Sequence, residues 1–82
     1  MNQIFLTGRI FRSENTPTGK NLTIAIFQYE PDEIEYVPVS IDENSKVYIR
    51  DFRNGNLVSV IGRLSFKDKN MKILVEQINF AG

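Results

Sequence analysis

The stretch that most restricts the fold of this chain is the segment 56–67, in which apolar and polar residues alternate. Val58 and Val60 share one face with Gly62, and Arg63 lies on the other face. An alternation of period two that uses β-branched residues predicts a half-buried strand. Gly62 stands within the apolar face, where a glycine usually marks a bulge, a bend or the close approach of another backbone.

The combination of an inward glycine with an outward arginine occurs a second time, at residues 6–10. Gly8 falls on the apolar face of that segment and Arg9 on the opposite face, as Gly62 and Arg63 do in the later segment. A strand bends sharply at such a glycine and can then serve two parts of a barrel. Two strands of this kind therefore predict a small closed sheet.

Turn residues and alternation divide the chain into five strands and one helix. The predicted strands, in chain order, are 2–12, 21–29, 34–41, 56–67 and 71–80. A loop is predicted over 13–20, and a helix over 42–54, where Tyr48 and Phe52 share a face and Gly55 ends the helix. This order of elements predicts an all-β fold, namely a five-stranded OB-fold (oligonucleotide/oligosaccharide-binding) barrel with one helix between strands 3 and 4.

The last two predicted strands carry two expectations about burial. Phe66 shares the face of Gly62 and Leu64, which predicts that its ring lies in the core. Residues 71–80 are apolar on both faces, which predicts that this strand is buried on both sides, with another subunit as one possible cover.

The composition narrows the possible functions. The chain has 82 residues, no cysteine and no histidine, and its length predicts that residues 1–82 form a single domain. Without a thiol or an imidazole, and without an evident nucleophile–base pair, we expect no catalytic residues, no metal site and no cofactor. No apolar run reaches membrane-spanning length and no signal-peptide pattern opens the chain, so we expect a soluble, cytoplasmic protein.

Charge is distributed unevenly along the chain although the formal net charge is zero. Residues 21–45 contain six acidic residues and no basic residue, whereas residues 46–72 contain seven basic residues and two acidic ones. The basic segment can meet phosphates, whose binding is mainly electrostatic. The alternative interpretation of both segments is an ordinary solvated surface.

Three aromatic residues, Phe27, Tyr29 and Tyr36, lie opposite the aliphatic faces of predicted strands 2 and 3. If the aliphatic faces form the barrel interior, the three rings face outward together. An exposed ring can stack on a base of any sequence, at about 1–3 kcal/mol per base. The alternative for Phe27 is packing in a subunit interface or under a loop.

Several basic residues fall on or beside the same expected surface, and together they predict contacts with phosphates. They are Arg9, Arg12, Lys20, Arg63, Lys67 and Lys69. A basic hairpin beside aromatic platforms is what a protein needs in order to follow a nucleic-acid backbone. Each of these residues taken alone has solvated surface as its alternative interpretation.

Four segments in series resemble the bacterial single-stranded DNA-binding protein (SSB) family, including its short PriB-like members. The matching segments are 2–10, 16–20, 35–39 and 55–64, of which the last matches best. Residues 75–78 look like the last strand of the PriB-like members. The resemblance spans the whole chain in order and with nearly the right spacing, and it implies stacking of bases over a basic groove.

The resemblance also implies roles for individual positions. Tyr36 matches a family aromatic that stacks on a base, and Tyr29 lies beside a second such position. A third position is occupied here by Asp42, and a fourth falls near Lys69, where Phe66 is the nearest aromatic residue.

Strand 1 of the family meets a partner subunit. The resemblance therefore implies an oligomer interface at Phe5 and Thr7, and a homodimer or homotetramer.

Three functions follow as hypotheses. The first is sequence-tolerant binding of single-stranded DNA in replication, recombination or repair. The second is a PriB-like adaptor in replication restart, in which contact with a helicase or another replication protein matters more than coating of the strand. The third is an OB-fold module that binds only protein, for which no oligonucleotide would bind at low salt.

Overall fold

In the computed structural model, five strands close into a barrel. The structure describes residues 2–27, 33–49, 51–67 and 69–81, without the side chains of Tyr48, Ile49 and Lys67. The strands are β1 (Ile4–Thr16), β2 (Gly19–Phe27), β3 (Ile34–Asp42), β4 (Leu57–Lys67) and β5 (Asn70–Phe80). Their order around the barrel is β1-β2-β3-β5-β4. The predicted all-β, five-stranded barrel is confirmed.

Strand β1 takes part in two different ladders. Residues from Ile4 to Arg9 pair with β4, and residues from Arg9 to Thr16 pair with β2. The register with β2 shifts between Ile10 and Arg12, so that Phe11 is the additional residue of a bulge. Bulges bend a strand and increase its twist, which allows one strand to serve both sides of the barrel.

The predicted loop over 13–20 is wrong, because both strands continue almost to the turn. Paired residues follow one another from Ser13 with Leu22 to Thr16 with Gly19. Only Pro17 and Thr18 are left as the turn. Ladder partners on the neighbouring strand keep the other residues of this stretch extended, although several of them are typical turn residues.

The two repeated glycines lie where backbones come close, as their positions predicted. Both Gly8 and Gly62 are buried. A Cβ atom at Gly8 would collide with the carbonyl oxygen of Ala25, and one at Gly62 would lie 2.5 Å from the carbonyl oxygen of Leu74. Arg9 and Arg63 are exposed on the opposite faces. The repeated pattern therefore marks two points at which the barrel closes tightly.

The barrel interior is aliphatic. Its fully buried side chains are Ile10, Leu22, Ile24, Val39, Ile41, Val58, Val60 and Ile78. Each such side chain contributes about 1.5–3 kcal/mol by leaving water. These residues alternate along their strands with outward-facing ones, so the outer faces of the same strands are available for binding.

The predicted α-helix over 42–54 is not found in the described part of that segment, which contains one 3-10 turn, Lys46–Ile49. Asp42 still belongs to β3, and its Oδ1 accepts a hydrogen bond from the backbone N–H of Asn44 at 2.8 Å. The Ser45 hydroxyl accepts another from the Val47 amide at 3.2 Å. These local side-chain bonds favour turns over a helix. No helix within the described residues is long and apolar enough to cross a membrane.

Strand β5 is buried on one face only, so the prediction of burial on both faces is wrong. Ile61 pairs with Gln77 and Gly62 with Val75, which leaves Glu76 as an additional residue in a bulge. The bulge brings Val75 and Ile78, three positions apart, onto the same inward face. Both side chains are buried.

The prediction of a core position for Phe66 is also wrong. Phe66 has the same parity as Leu64, but the β4–β5 hairpin extends past the rim of the barrel at this point. Phe66 pairs with Met71, and the two side chains are 72% and 63% exposed. The alternation of side chains along a strand indicates on which side of the strand a residue lies, but it does not show where the barrel ends.

Candidate nucleic-acid interface

Two exposed rings meet on the outer face of the β1-β2-β3 sheet. The ring centroids of Phe11 and Tyr36 lie 4.8 Å apart at an interplanar angle of 60°, an edge-to-face arrangement. Phe11 is the bulge residue of β1, and Tyr36 pairs with Ala25 of β2. About half of each of the two residues remains exposed. The pair therefore leaves aromatic surface open to solvent.

An open cleft of about 400 Å³ adjoins these rings and is lined by Phe11, Arg12, Thr23 and Tyr36. We call it the aromatic cleft. The Arg12 guanidinium carbon lies 5.7 Å from the centre of the Phe11 ring, and its Nη1 lies 3.6 Å from Glu14 Oε1. Aromatic faces beside a guanidinium can hold a planar base and the phosphate attached to it.

A second depression, of about 510 Å³, lies between the β1–β2 turn and the base of the β4–β5 hairpin. We call it the polar groove. Residues with a hydroxyl or amide side chain form the largest group in its lining, namely Thr16, Thr18, Asn21, Ser40 and Ser65. Lys20, Lys72 and Asp42 are the charged residues, and Pro17, Ile41 and Leu74 complete the lining. Ser40 Oγ donates to Asn21 Oδ1 at 3.0 Å, which holds these two side chains together across β2 and β3.

The cleft and the groove are parts of one surface. Thr23 of the cleft and Asn21 of the groove are successive outward residues of β2. On β3, Pro38 separates Tyr36 from Ser40, and Pro38 pairs with Thr23. A ligand that leaves the cleft along these strands therefore enters the groove without changing face.

Tyr36 and Arg12 are the predicted site residues that the structure places in the aromatic cleft. Arg9 lies in the same row of the sheet, because Arg9 pairs with Ala25 and Ala25 with Tyr36. The Arg9 Nη1 donates to the carbonyl oxygen of Gly55 at 3.0 Å, which fixes the side chain at that position. Phe27 is 59% exposed at the end of β2.

Among the other predicted cations, Lys20 lies in the polar groove, and Arg63 and Lys69 lie on the β4–β5 hairpin. Lys20 lines the groove, and its ammonium lies 5.4 Å from the centre of the Phe52 ring. Arg63 is exposed and pairs with Leu74, a groove residue. Lys69 is exposed in the hairpin turn, with a φ of 65°.

Two predicted positions fall outside the description. They are Tyr29 and the side chain of Lys67.

The predicted interface residues lie on a different part of the barrel. Phe5 is 68% exposed and pairs with Ile61, and Thr7 pairs with Ser59. The hydroxyl oxygens of Thr7 and Ser59 are 3.3 Å apart. The outward side of the β1–β4 ladder therefore carries an exposed ring beside a small polar pair.

Three residues of the candidate site were not among those predicted from the sequence. Phe11 and Thr23 line the aromatic cleft, and Lys72 lines the polar groove. Alternation alone could have placed Phe11 and Thr23 on outward faces. Lys72 belongs to the basic segment 46–72, but its position beside the groove depends on the pairing of Lys72 with Ser65.

Comparison with known proteins shows similarity in structure only. No family model and no curated protein sequence matches the chain. The dimeric structure of the N-terminal domain of PriB from Thermoanaerobacter tencongensis is similar, with a TM-score of 0.80 and 16% identity over 99% of this chain and 97% of that one. Mitochondrial single-stranded DNA-binding protein Rim1 of S. cerevisiae has a TM-score of 0.74, with 18% identity over 95% of this chain and 91% of Rim1.

A small single-stranded DNA-binding protein from Mycoplasma pneumoniae is also similar, with a TM-score of 0.70 and 18% identity over 96% of this chain and 92% of that chain. At these identities the similarity concerns the fold. The resemblance to single-stranded DNA-binding and PriB-like proteins is thus confirmed as a shared barrel fold that extends over almost the whole chain.

Proposed function

We propose that this protein binds single-stranded DNA with little sequence preference, in replication, recombination or repair. Unpaired bases stack on Phe11 and Tyr36, and the phosphates meet Arg12 and the other cations around the cleft and the groove. The observation that carries the proposal is the exposed, edge-to-face pair of rings beside a guanidinium on the outer face of the barrel. Stacking of this kind accepts every base, because every base has a π-face.

The comparisons support the proposal through the proteins that share the fold. Rim1 and the Mycoplasma protein are single-stranded DNA-binding proteins. Because one fold hosts many functions, the proposed function depends on the site, and the shared fold only supports it. Binding by stacking also needs none of the nucleophiles, metals or cofactors that an enzyme would need.

We further propose that the protein acts as a homo-oligomer through the outward side of the β1–β4 ladder. Phe5 provides exposed apolar area there, and the Thr7–Ser59 pair beside it can form hydrogen bonds with a partner. The PriB domain with the same fold is dimeric. This surface lies on a different ladder from the rings of the aromatic cleft, so that both can be occupied together.

A titration with oligo(dT) tests the proposed function. The chain has three tyrosines and no tryptophan, so its intrinsic fluorescence comes from tyrosine. Stacking of a base on Tyr36 should quench part of that emission. Affinity should fall steeply between about 50 and 200 mM salt, as expected for phosphate contacts. An absence of binding to any oligonucleotide at low salt would contradict the proposal and favour a protein-binding module.

A further inference from the structure

The polar groove differs in chemistry from the aromatic cleft, although both belong to one surface. Among the residues that the structure describes, those that line the groove include no aromatic side chain; they are small hydroxyl or amide residues, aliphatic residues, two lysines and one aspartate. Since none of these described residues has a ring, they offer no platform on which a base can stack. Hydroxyl, amide and ammonium groups instead suit the oxygens of sugars and phosphates.

The path between the two sites follows β3. Tyr36 and Ser40 are four positions apart, which is about 13 Å along a β-strand. Both side chains are on the outward face, with Pro38 between them. When one base of the bound DNA stacks on Tyr36, it is therefore the neighbouring nucleotides that reach the groove, and not the stacked nucleotide.

Lys72 is the cation best placed to meet a phosphate in the groove. It is exposed and pairs across the hairpin with Ser65, and both residues line the groove. Lys20 also lines the groove, but its ammonium already lies over the Phe52 ring. Among the residues that the structure describes, Lys72 has no ion-pair partner.

We infer that the polar groove is a subsite for the nucleic-acid backbone alone. The groove binds the sugars and phosphates of the nucleotides next to those stacked in the aromatic cleft, with Lys72 as its phosphate contact. It makes no contact with the bases of the nucleotides that it binds. This inference rests on the proposed function. It adds that the bases contribute to affinity in the part of the DNA that lies in the aromatic cleft, and that they do not contribute in the part that lies in the polar groove.

The test is a scan of abasic nucleotides through the shortest oligo(dT) that keeps full affinity, since a short ligand cannot shift its register. Positions that stack should lose about 5- to 150-fold in affinity when the base is removed. At a contiguous block of positions at one end, removal of the base should lower the affinity by less than about twofold, because an unstacked base does not contribute stacking energy. A similar loss at every position would overturn the inference.

A lysine substitution tests the same claim from the protein side. Lys72→Gln should reduce the slope of log affinity against log salt by about 0.7, the value for one phosphate contact with a single strand. Lys46→Gln is the matched control, since Lys46 is an exposed lysine in the 3-10 turn, outside the groove. An unchanged slope for Lys72→Gln, or an equal change in the control, would overturn the assignment of Lys72.

The failure of this inference can be distinguished from the failure of the proposed function. If the unmodified protein does not bind oligo(dT) at low salt, both are wrong. If it binds, but every abasic position costs the same and Lys72→Gln keeps the full salt dependence, only the backbone subsite is wrong. Thermal unfolding of both lysine variants checks that the substitutions leave the barrel intact, as expected for exposed side chains.

Discussion

The rings of Phe11 and Tyr36 come together from two strands that are not neighbours, with centroids 4.8 Å apart. Phe11 belongs to β1 and Tyr36 to β3, and β2 runs between them. Two strand spacings amount to about 9–10 Å, so both side chains lean over β2. Ala25, which pairs with Tyr36 on the outward face, is only 7% exposed. Its small side chain leaves room for the rings to meet.

Replacing Tyr36 by alanine should weaken the binding of oligo(dT) by about 1–3 kcal/mol, the value of one stacked base. Tyr36→Phe keeps the ring and should keep most of the affinity, and it therefore serves as the matched control. The affinities of the two variants and of the unmodified protein can be measured from the fluorescence anisotropy of a labelled oligonucleotide. Equal affinities of Tyr36→Ala and the unmodified protein would place the site elsewhere.

Removing the carboxylate that faces Arg12 should strengthen binding. Arg12 Nη1 lies 3.6 Å from Glu14 Oε1, and both side chains are about 60% exposed. The pair itself is worth no more than about 1 kcal/mol. In Glu14→Gln the guanidinium has no competing anion, so the affinity for oligo(dT) should rise, by no more than about fivefold.

The control for Glu14→Gln is Asp51→Asn. It removes a carboxylate from a similarly exposed pair with Arg53, at 3.5 Å, away from the cleft. The two variants have the same formal net charge. A rise of the same size in both would show a general charge effect instead of a release of Arg12.

Introducing a charge at Phe5 should prevent self-association. Phe5→Asp would bury a carboxylate in the proposed interface, which costs several kcal/mol when the charge has no partner. Sedimentation velocity should then show a monomer where the unmodified protein shows an oligomer. Phe27→Asp is the matched control, because Phe27 is similarly exposed on another strand. An oligomer that survives Phe5→Asp and dissociates in the control would contradict this placement of the interface.

A methyl group at Gly62 should destabilise the barrel. The Cβ atom would lie 2.5 Å from the carbonyl oxygen of Leu74, which is held in the β4–β5 ladder. Overpacking of this kind costs about 1–3 kcal/mol. Urea unfolding should show the loss for Gly62→Ala, whereas Ser65→Ala on the same strand should change the free energy of unfolding by much less. Equal stabilities of the two variants would show that the strands separate easily at this point.

The five strands, and the inward faces of all of them except β5, could be predicted from the sequence because alternation reports burial directly. The pattern of Val58, Val60 and Gly62 is an example: all three are buried, and Arg63 beside them is exposed. The same reasoning placed Tyr36 on the outside, where it is half exposed. Each inference needed only the two-residue period of a strand.

What could not be predicted depends on pairing between distant segments. The bulge that contains Phe11 exists only in relation to β2, and the one at Glu76 only in relation to β4. Each changes which side chains share a face. Phe66 is exposed because the hairpin extends beyond the other strands, and the segment after Asp42 forms turns because side chains bond locally to the backbone. The two bulges and the protruding hairpin have no signal within a short window of sequence, whereas the turns after Asp42 do, because Asp42 and Ser45 each bond to a backbone amide two residues later.

Mapping the amide chemical shifts of the ¹⁵N-labelled protein during titration with oligo(dT) would locate the bound DNA on the barrel. We expect the largest shifts at Phe11, Thr23 and Tyr36, continuing along β2 and β3 toward Ser40. Shifts concentrated instead at Phe5, Thr7 and Ser59, on the outward side of the β1–β4 ladder, would contradict this expectation.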